Sequence, residues 1–114
     1  MALPEFTKKL IQKTLSDYCT RKVPSHVKDQ YQLDFKFRGN SVTLYEERPT
    51  FMDKSEWVDI VVAQFRYDPK TQKWSLYCAD RNSKWHEYIG LNRTKDFNVL
   101  LEEVEADPTG IFWG

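Results

Sequence analysis

The sequence is poor in glycine, cysteine and methionine, and it carries no net charge. Its 114 residues include four Gly, two Cys and two Met. Four glycines, none in a GxGxxG or P-loop arrangement, leave no phosphate-cradling loop. Cys19 and Cys78 lie far apart, without a CxxC pair or the density of a disulfide scaffold, which fits reduced thiols in a cytoplasmic protein. No nucleophile elbow and no HExxH motif is present. No apolar run approaches the ~20 residues of a membrane span, so no membrane role is expected. The segment Met1–Lys9 lacks the apolar stretch and cleavage site of a signal peptide, and none is expected. Seventeen basic groups balance seventeen acidic ones, which argues against a dedicated nucleic-acid or membrane-surface binder.

Aromatic residues are plentiful: seven Phe, six Tyr and four Trp. A chain of this length buries roughly 60 to 70% of its unfolded surface, so residues 1–114 are read as a single domain with an unaided core. The zero net charge conceals a gradient. Residues 1–28 sum to +4, 29–67 to −2, 68–95 to +3 and 96–114 to −5.

The hydrophobic period locates the elements. Leu3, Phe6, Leu10, Ile11, Thr14/Leu15 and Tyr18 recur at helical spacing, with Pro4 in the first turn and Pro24 as the stop. Tyr31, Leu33, Phe35 and Phe37 then alternate with polar residues, as in a half-buried strand. Gly39-Asn40 reads as a two-residue type II′ hairpin turn that pairs Phe37 with Val42 and Phe35 with Leu44. An irregular stretch, Arg48–Ser55, precedes a third strand over Trp57–Tyr67. The turn Asp68–Lys73 leads to a fourth strand over Trp74–Ala79, and Asn82-Ser83 reads as a tight turn into a fifth over Trp85–Tyr88. Thr94 or Asp96 caps a last helix whose apolar residues are Phe97, Leu100, Leu101 and Val104. The expected fold is α+β: an antiparallel five-strand meander with an N-terminal and a C-terminal helix on one face, in the order α-β-β-β-β-β-α.

Arg38-Gly39-Asn40-Ser41-Val42-Thr43-Leu44, Phe65-Arg66-Tyr67-Asp68-Pro69, Ala79-Asp80-Arg81-Asn82 with Trp85-His86, and the ending Asp107–Gly114 carry a family resemblance. Over essentially its whole length the chain resembles a bacterial family known only as domain of unknown function 3024. The resemblance implies a stand-alone, single-domain bacterial protein. It transfers no catalytic residue, since no activity is assigned to the family. Relatives tend to carry Gly where this chain has Gln72 and Ser83.

Four side chains could bind zinc: Cys19, His26, Cys78 and His86. Their spacing gives no two-ligand knuckle, so no metal and no cofactor is expected. His86 could act as a general base, but Glu87 would project from the opposite face of its strand and cannot orient it. No catalytic residue is assigned. The face left uncovered by the helices is the better candidate: pairing Asp68 with Lys73 places Arg66 and Tyr77 on it, pairing through Asn82-Ser83 adds Arg81, His86 and Tyr88, and the first hairpin adds Tyr45, Lys36 and Thr43. Such an aromatic and basic surface suits an interaction module, either as a homodimer contact or for another protein partner. The alternatives are an ordinary solvated sheet face, a small enzyme, or a factor for single-stranded nucleic acid using His86, Arg66, Arg81 and Tyr77. Nucleic acid is disfavoured by the neutral total. The apolar tail Ile111-Phe112-Trp113 is expected to fold back on the domain rather than dock a partner. Lys8 and Lys9 near the start of one helix, and Glu102, Glu103 and Glu105 near the end of the other, suggest an antiparallel helix pair that neutralises both.

Overall fold

The computed structural model describes residues 3–23, 26, 30–50, 52 and 55–113. Pro4 stands at the N-cap of α1 (Glu5–Lys22), where its missing N–H costs nothing, and Arg21 and Lys22 occupy the last turn, where cations suit the helix dipole. The helix gives way to extended backbone at Val23. Pro24, the expected stop, lies outside the described residues, as do Phe51, Asp53 and Lys54 of the irregular stretch. The buried stripe of α1 is Ile11, Leu15 and Tyr18, led in by Leu3. It is narrower than the spacing suggested, because Phe6 and Leu10 are 80% and 54% exposed on the flank.

Five strands follow: β1 (Gln32–Arg38), β2 (Ser41–Pro49), β3 (Trp57–Asp68), β4 (Lys73–Ala79) and β5 (Trp85–Glu87). They form one antiparallel sheet in the order β1-β2-β3-β4-β5. The first hairpin has the expected register, with Phe37 opposite Val42 and Phe35 opposite Leu44. Gly39 supplies the positive φ of 59° that the first position of a type II′ turn demands. On the β3–β4 side Tyr67 meets Trp74 and Phe65 meets Leu76, again as expected. A bulge between Leu44 and Tyr45 lets β3 carry one extra residue, so Leu44 faces Ala63 while Tyr45 faces Val61.

The last hairpin differs from expectation by one residue. The chain does not turn on two residues at Asn82-Ser83. Asp80 N–H bonds Lys84 O at 2.8 Å and Ser83 N–H bonds Asp80 O at 2.9 Å, which makes a three-residue loop. Ser83 takes the left-handed conformation at φ 63°. The Asp80 carboxylate secures this loop by accepting from Asn82 N and Lys84 N at 2.8 and 3.0 Å. Cys78 therefore pairs with His86 and Tyr77 with Glu87. A one-residue shift exchanges the faces of every side chain in a strand.

α2 (Phe97–Ala106) begins at Asp96, whose carboxylate accepts from Asn98 N at 3.0 Å. Both helices cover the inner face, and Phe97 packs against Phe65 and Trp74 with ring centroids 4.7 and 5.0 Å apart. Phe65, Leu15, Leu44, Leu100, Val42 and Val104 form the fully buried centre. The helices run in the same direction, contrary to the antiparallel expectation. Leu3 N–H reaches Gly39 O at 3.3 Å, and Thr94 and Trp74 exchange backbone bonds of 2.7 and 3.1 Å, so both helices start at the same end of the sheet. At the other end Tyr18 Oη donates to Glu105 Oε2, and Lys22 Nζ lies 3.1 Å from Glu105 Oε1. The acidic end of α2 thus meets Arg21 and Lys22, not Lys8 and Lys9. The hydrogen bond from Tyr18 is the main cause holding the Glu105 carboxyl below its ordinary range, with Lys22 adding to it.

The tail folds back. Asp107 ends α2 in the left-handed region at φ 44°, and its carboxylate accepts from Phe112 N and Trp113 N at 3.1 and 2.9 Å. Phe112 is buried against the Tyr88 ring, and Trp113 Nε1 donates to Val104 O at 2.9 Å.

Candidate functional site

Alternation along the strands and the registers above place Lys36, Arg38, Thr43, Tyr45, Gln64, Arg66, Ser75, Tyr77 and Glu87 on the outer face, away from the helices. A polar string crosses its centre. The Arg66 guanidinium stacks on the Tyr77 ring at 3.8 Å, its Nε donates to Gln64 Oε1 at 2.6 Å, and Gln64 Nε2 donates to Thr43 Oγ1 at 3.0 Å. Ser75 Oγ donates to Arg66 O at 3.4 Å, which leaves Thr43 and Ser75 buried although they face outward. Lys36 lies over the Tyr45 ring at 5.1 Å. Each exposed cation–π contact of this kind contributes roughly 0.5–1 kcal/mol, and together they fix both cations in place.

Charge is sorted along the strands. Arg38, Lys36 and Arg66 occupy the end near the Gly39 turn, whereas Asp34, Glu47 and Asp59 surround Tyr45 toward the other end. Burial, then Asp59 and Asp34, raise the Glu47 carboxyl above its ordinary range. Burial and the same three carboxylates push the Tyr45 hydroxyl up to about 12. No ion pair among the described residues closes on Glu47 or Asp59. Beyond them, Trp57, Val58, Ile60 and Val61 at the start of β3 are 37 to 46% exposed on both sides of a β2–β3 ribbon.

Of the six residues expected on this face, Tyr45, Arg66 and Tyr77 are there. Three are not, and the shifted β4–β5 register is the reason. Tyr88 is buried on the inner side, where its hydroxyl donates to Glu103 Oε2 at 2.7 Å. His86 projects from the same side as Cys78, and its Nε2 lies 2.8 Å from Asp80 Oδ2. Arg81 is at the exposed tip of the Asp80–Lys84 loop. In their place Glu87 enters the face, held by two bonds from Arg93 at 2.8 and 2.9 Å. The face is therefore mixed in charge rather than basic. The carboxylates at 34, 47 and 59 and the apolar ribbon were missed, although the alternation through Gln32–Arg38 already put Asp34 outward.

His86, Arg66, Arg81 and Tyr77 do not converge. A cavity of about 630 Å³ lies instead between the helices and is lined by Tyr18, Arg21, Lys22, Leu101 and Glu102 among others. Burial pushes the Cys19 thiol up to about 12 and raises Cys78 as well, so neither is activated as a thiolate. Of the four potential zinc ligands, Cys78 and His86 are cross-strand partners, with Cys78 Sγ 3.6 Å from His86 O. Among the described residues no group of three or more His, Cys, Asp or Glu is placed to hold a metal ion. Nor, among those residues, is any helix long and apolar enough to cross a membrane.

No curated protein and no solved structure matches the chain. One family model does, over residues 3–114, and it spans the first hairpin, the outer-face string and the folded-back tail alike. The chain belongs to the family described as domain of unknown function 3024 (DUF3024).

Proposed function

We propose that this chain is a cytoplasmic protein-interaction module that makes its contact through the outer sheet face, with a second copy of itself as partner. The sorted charge of that face carries the reading. Two copies stacked across a two-fold axis with their strands antiparallel set Arg38, Lys36 and Arg66 of one against Asp34, Glu47 and Asp59 of the other. Tyr45 and Tyr77 supply rigid aromatic area between the charged ends, a composition favoured in contact surfaces. The free thiols Cys19 and Cys78 support a reducing compartment. The acidic half of the face counts against single-stranded nucleic acid, and the scatter of His86, Arg66, Arg81 and Tyr77 counts against an enzyme.

Sedimentation equilibrium tests this directly. Asp59→Lys and Arg66→Glu each set like charges together twice in a homodimer and weaken association by about tenfold, whereas an equimolar mixture of the two restores it. A wild-type chain that stays monomeric at high concentration and low salt overturns the proposal.

A further inference from the structure

The β2–β3 ribbon carries an open backbone edge. β4 pairs with β3 only along Gln64–Asp68 before turning toward β5. Residues 57–61 of β3 therefore have β2 on one side and, among the described residues, no strand on the other, whereas Val62 and Ala63 are buried. Along this edge Val58 and Ile60 on the inner side are 44% and 46% exposed, and Trp57 and Val61 on the outer side 38% and 37%. Natural sheets blunt such an edge with lysine, proline or a covering element, because its unpaired N–H and C=O groups are a template for another strand. Between Trp57 and Ala63 there is neither Lys nor Pro, and the one charge is Asp59.

We infer that this edge accepts an extended, basic segment of a partner protein as a sixth strand. Alternation fixes what that segment looks like: apolar side chains toward Val58 and Ile60, cations toward Asp59 and Glu47. The local charge selects the cation. Residues 45–62 carry five acidic and two basic groups. Glu47 lies beside Asp59 and Asp34, with its carboxyl raised first by burial and then by those two neighbours, whose repulsion an added ammonium offsets. A second copy fits poorly at this edge. Two-fold pairing about Ile60 would set Asp59 diagonally beside its own copy and add no cation to the acidic edge, and like charges at that spacing oppose association. The inference rests on the backbone edge and not on the outer face, although a bound strand and a stacked second copy would compete for Asp59 and Glu47.

Amide hydrogen exchange on the full chain, with three capped peptides as probes, separates the outcomes. The peptides are an alternating Lys-Val heptamer, its Glu-Val counterpart, and the Lys-Val sequence N-methylated at alternate residues. The Lys-Val peptide should slow exchange of the outward amides within residues 57–61 by about tenfold, and the other two should not. Equal protection by the N-methylated peptide overturns strand addition, and equal protection by the acidic peptide overturns the basic partner. Protection that grows with protein concentration alone assigns the edge to a second copy, and absence of protection at saturating peptide overturns the inference outright. Work at a protein concentration where the chain is monomeric keeps a failure here distinct from a failure of outer-face association.

Discussion

Replacing Asp107 should release the C-terminal tail. One carboxylate there ends α2 and accepts hydrogen bonds from both Phe112 N and Trp113 N. Charge-assisted bonds are worth about 1.5–3 kcal/mol each when buried. Asp107 is only half-buried and water can replace part of what is lost, so about 2 kcal/mol for the pair is the working figure. Asp107 already holds its own β-carbon in the left-handed region, so Asp107→Ala adds no strain beyond the lost bonds. Asp107→Gly loses the same bonds but relieves about 1 kcal/mol of that strain. For a domain of this size 1 kcal/mol corresponds to about 4 °C, so the Ala variant should melt about 8 °C lower and the Gly variant about 4 °C lower. Deleting residues 111–114 removes the buried Phe112 as well and should cost about 3–5 kcal/mol. Urea unfolding followed by circular dichroism gives the free energies, and amide exchange at Phe112 and Trp113 reports the tail itself. An Asp107→Ala protein within about 0.5 kcal/mol of wild type, its Trp113 amide equally protected, would refute the carboxylate clasp.

Gly90 lies against the buried Tyr88 ring, and a β-carbon there would stand 2.8 Å from its Cζ and Oη. Because Glu103 and Phe112 hold that ring, Gly90→Ala should destabilise by about 1–3 kcal/mol in the same urea assay, and a neutral substitution would mean the ring is free to move. Gln72 and Ser83 stand at φ 59° and 63°, so Gln72→Gly and Ser83→Gly should each raise stability, by about 0.5–1 kcal/mol; a loss at either would show that its side chain outweighs the strain. Glu105 has a carboxyl depressed first by the Tyr18 hydrogen bond, so its contribution is present above the ordinary glutamate range, about 4.3, and disappears as pH falls through the lower folded value. Glu105→Gln should therefore flatten the stability profile as pH falls below about 4.3, and an unchanged acid limb contradicts the assignment.

Much of the architecture could be read from the chain because local chemistry settles it. Gly39 is needed at a positive φ, and Pro69 pre-sets its turn, so the first and third hairpins close where the residues demand and the core pairs follow. The fourth hairpin was misread for an equally local reason. A carboxylate three bonds from its own backbone can organise a larger loop, and nothing in Asp80-Arg81-Asn82-Ser83-Lys84 announces that Asp80 will bind Asn82 N and Lys84 N. The clue was Glu87, which the two-residue turn forced toward the helices. Half of the candidate face moved with that one residue of register. Helix direction depends on contacts between distant segments, Leu3 with Gly39 and Trp74 with Thr94, which no periodicity encodes. The open edge of β3 follows from where β4 leaves it, a property of two strands together.

The sheet order has a consequence for how the chain reaches this structure. Every strand pairs with its neighbour in sequence, so the sheet can be assembled from successive hairpins with short loops to close. α1 is different. Its bond from Tyr18 to Glu105 joins residues 87 apart, and its bed, the inner faces of β1 and β2 together with α2, does not exist until the rest of the chain has been laid down. α1 precedes its bed in the chain, so its full set of tertiary contacts can close only once α2 is in place. It is a late-docking lid on a finished meander, and the natural place to cut the chain into two fragments that reassemble.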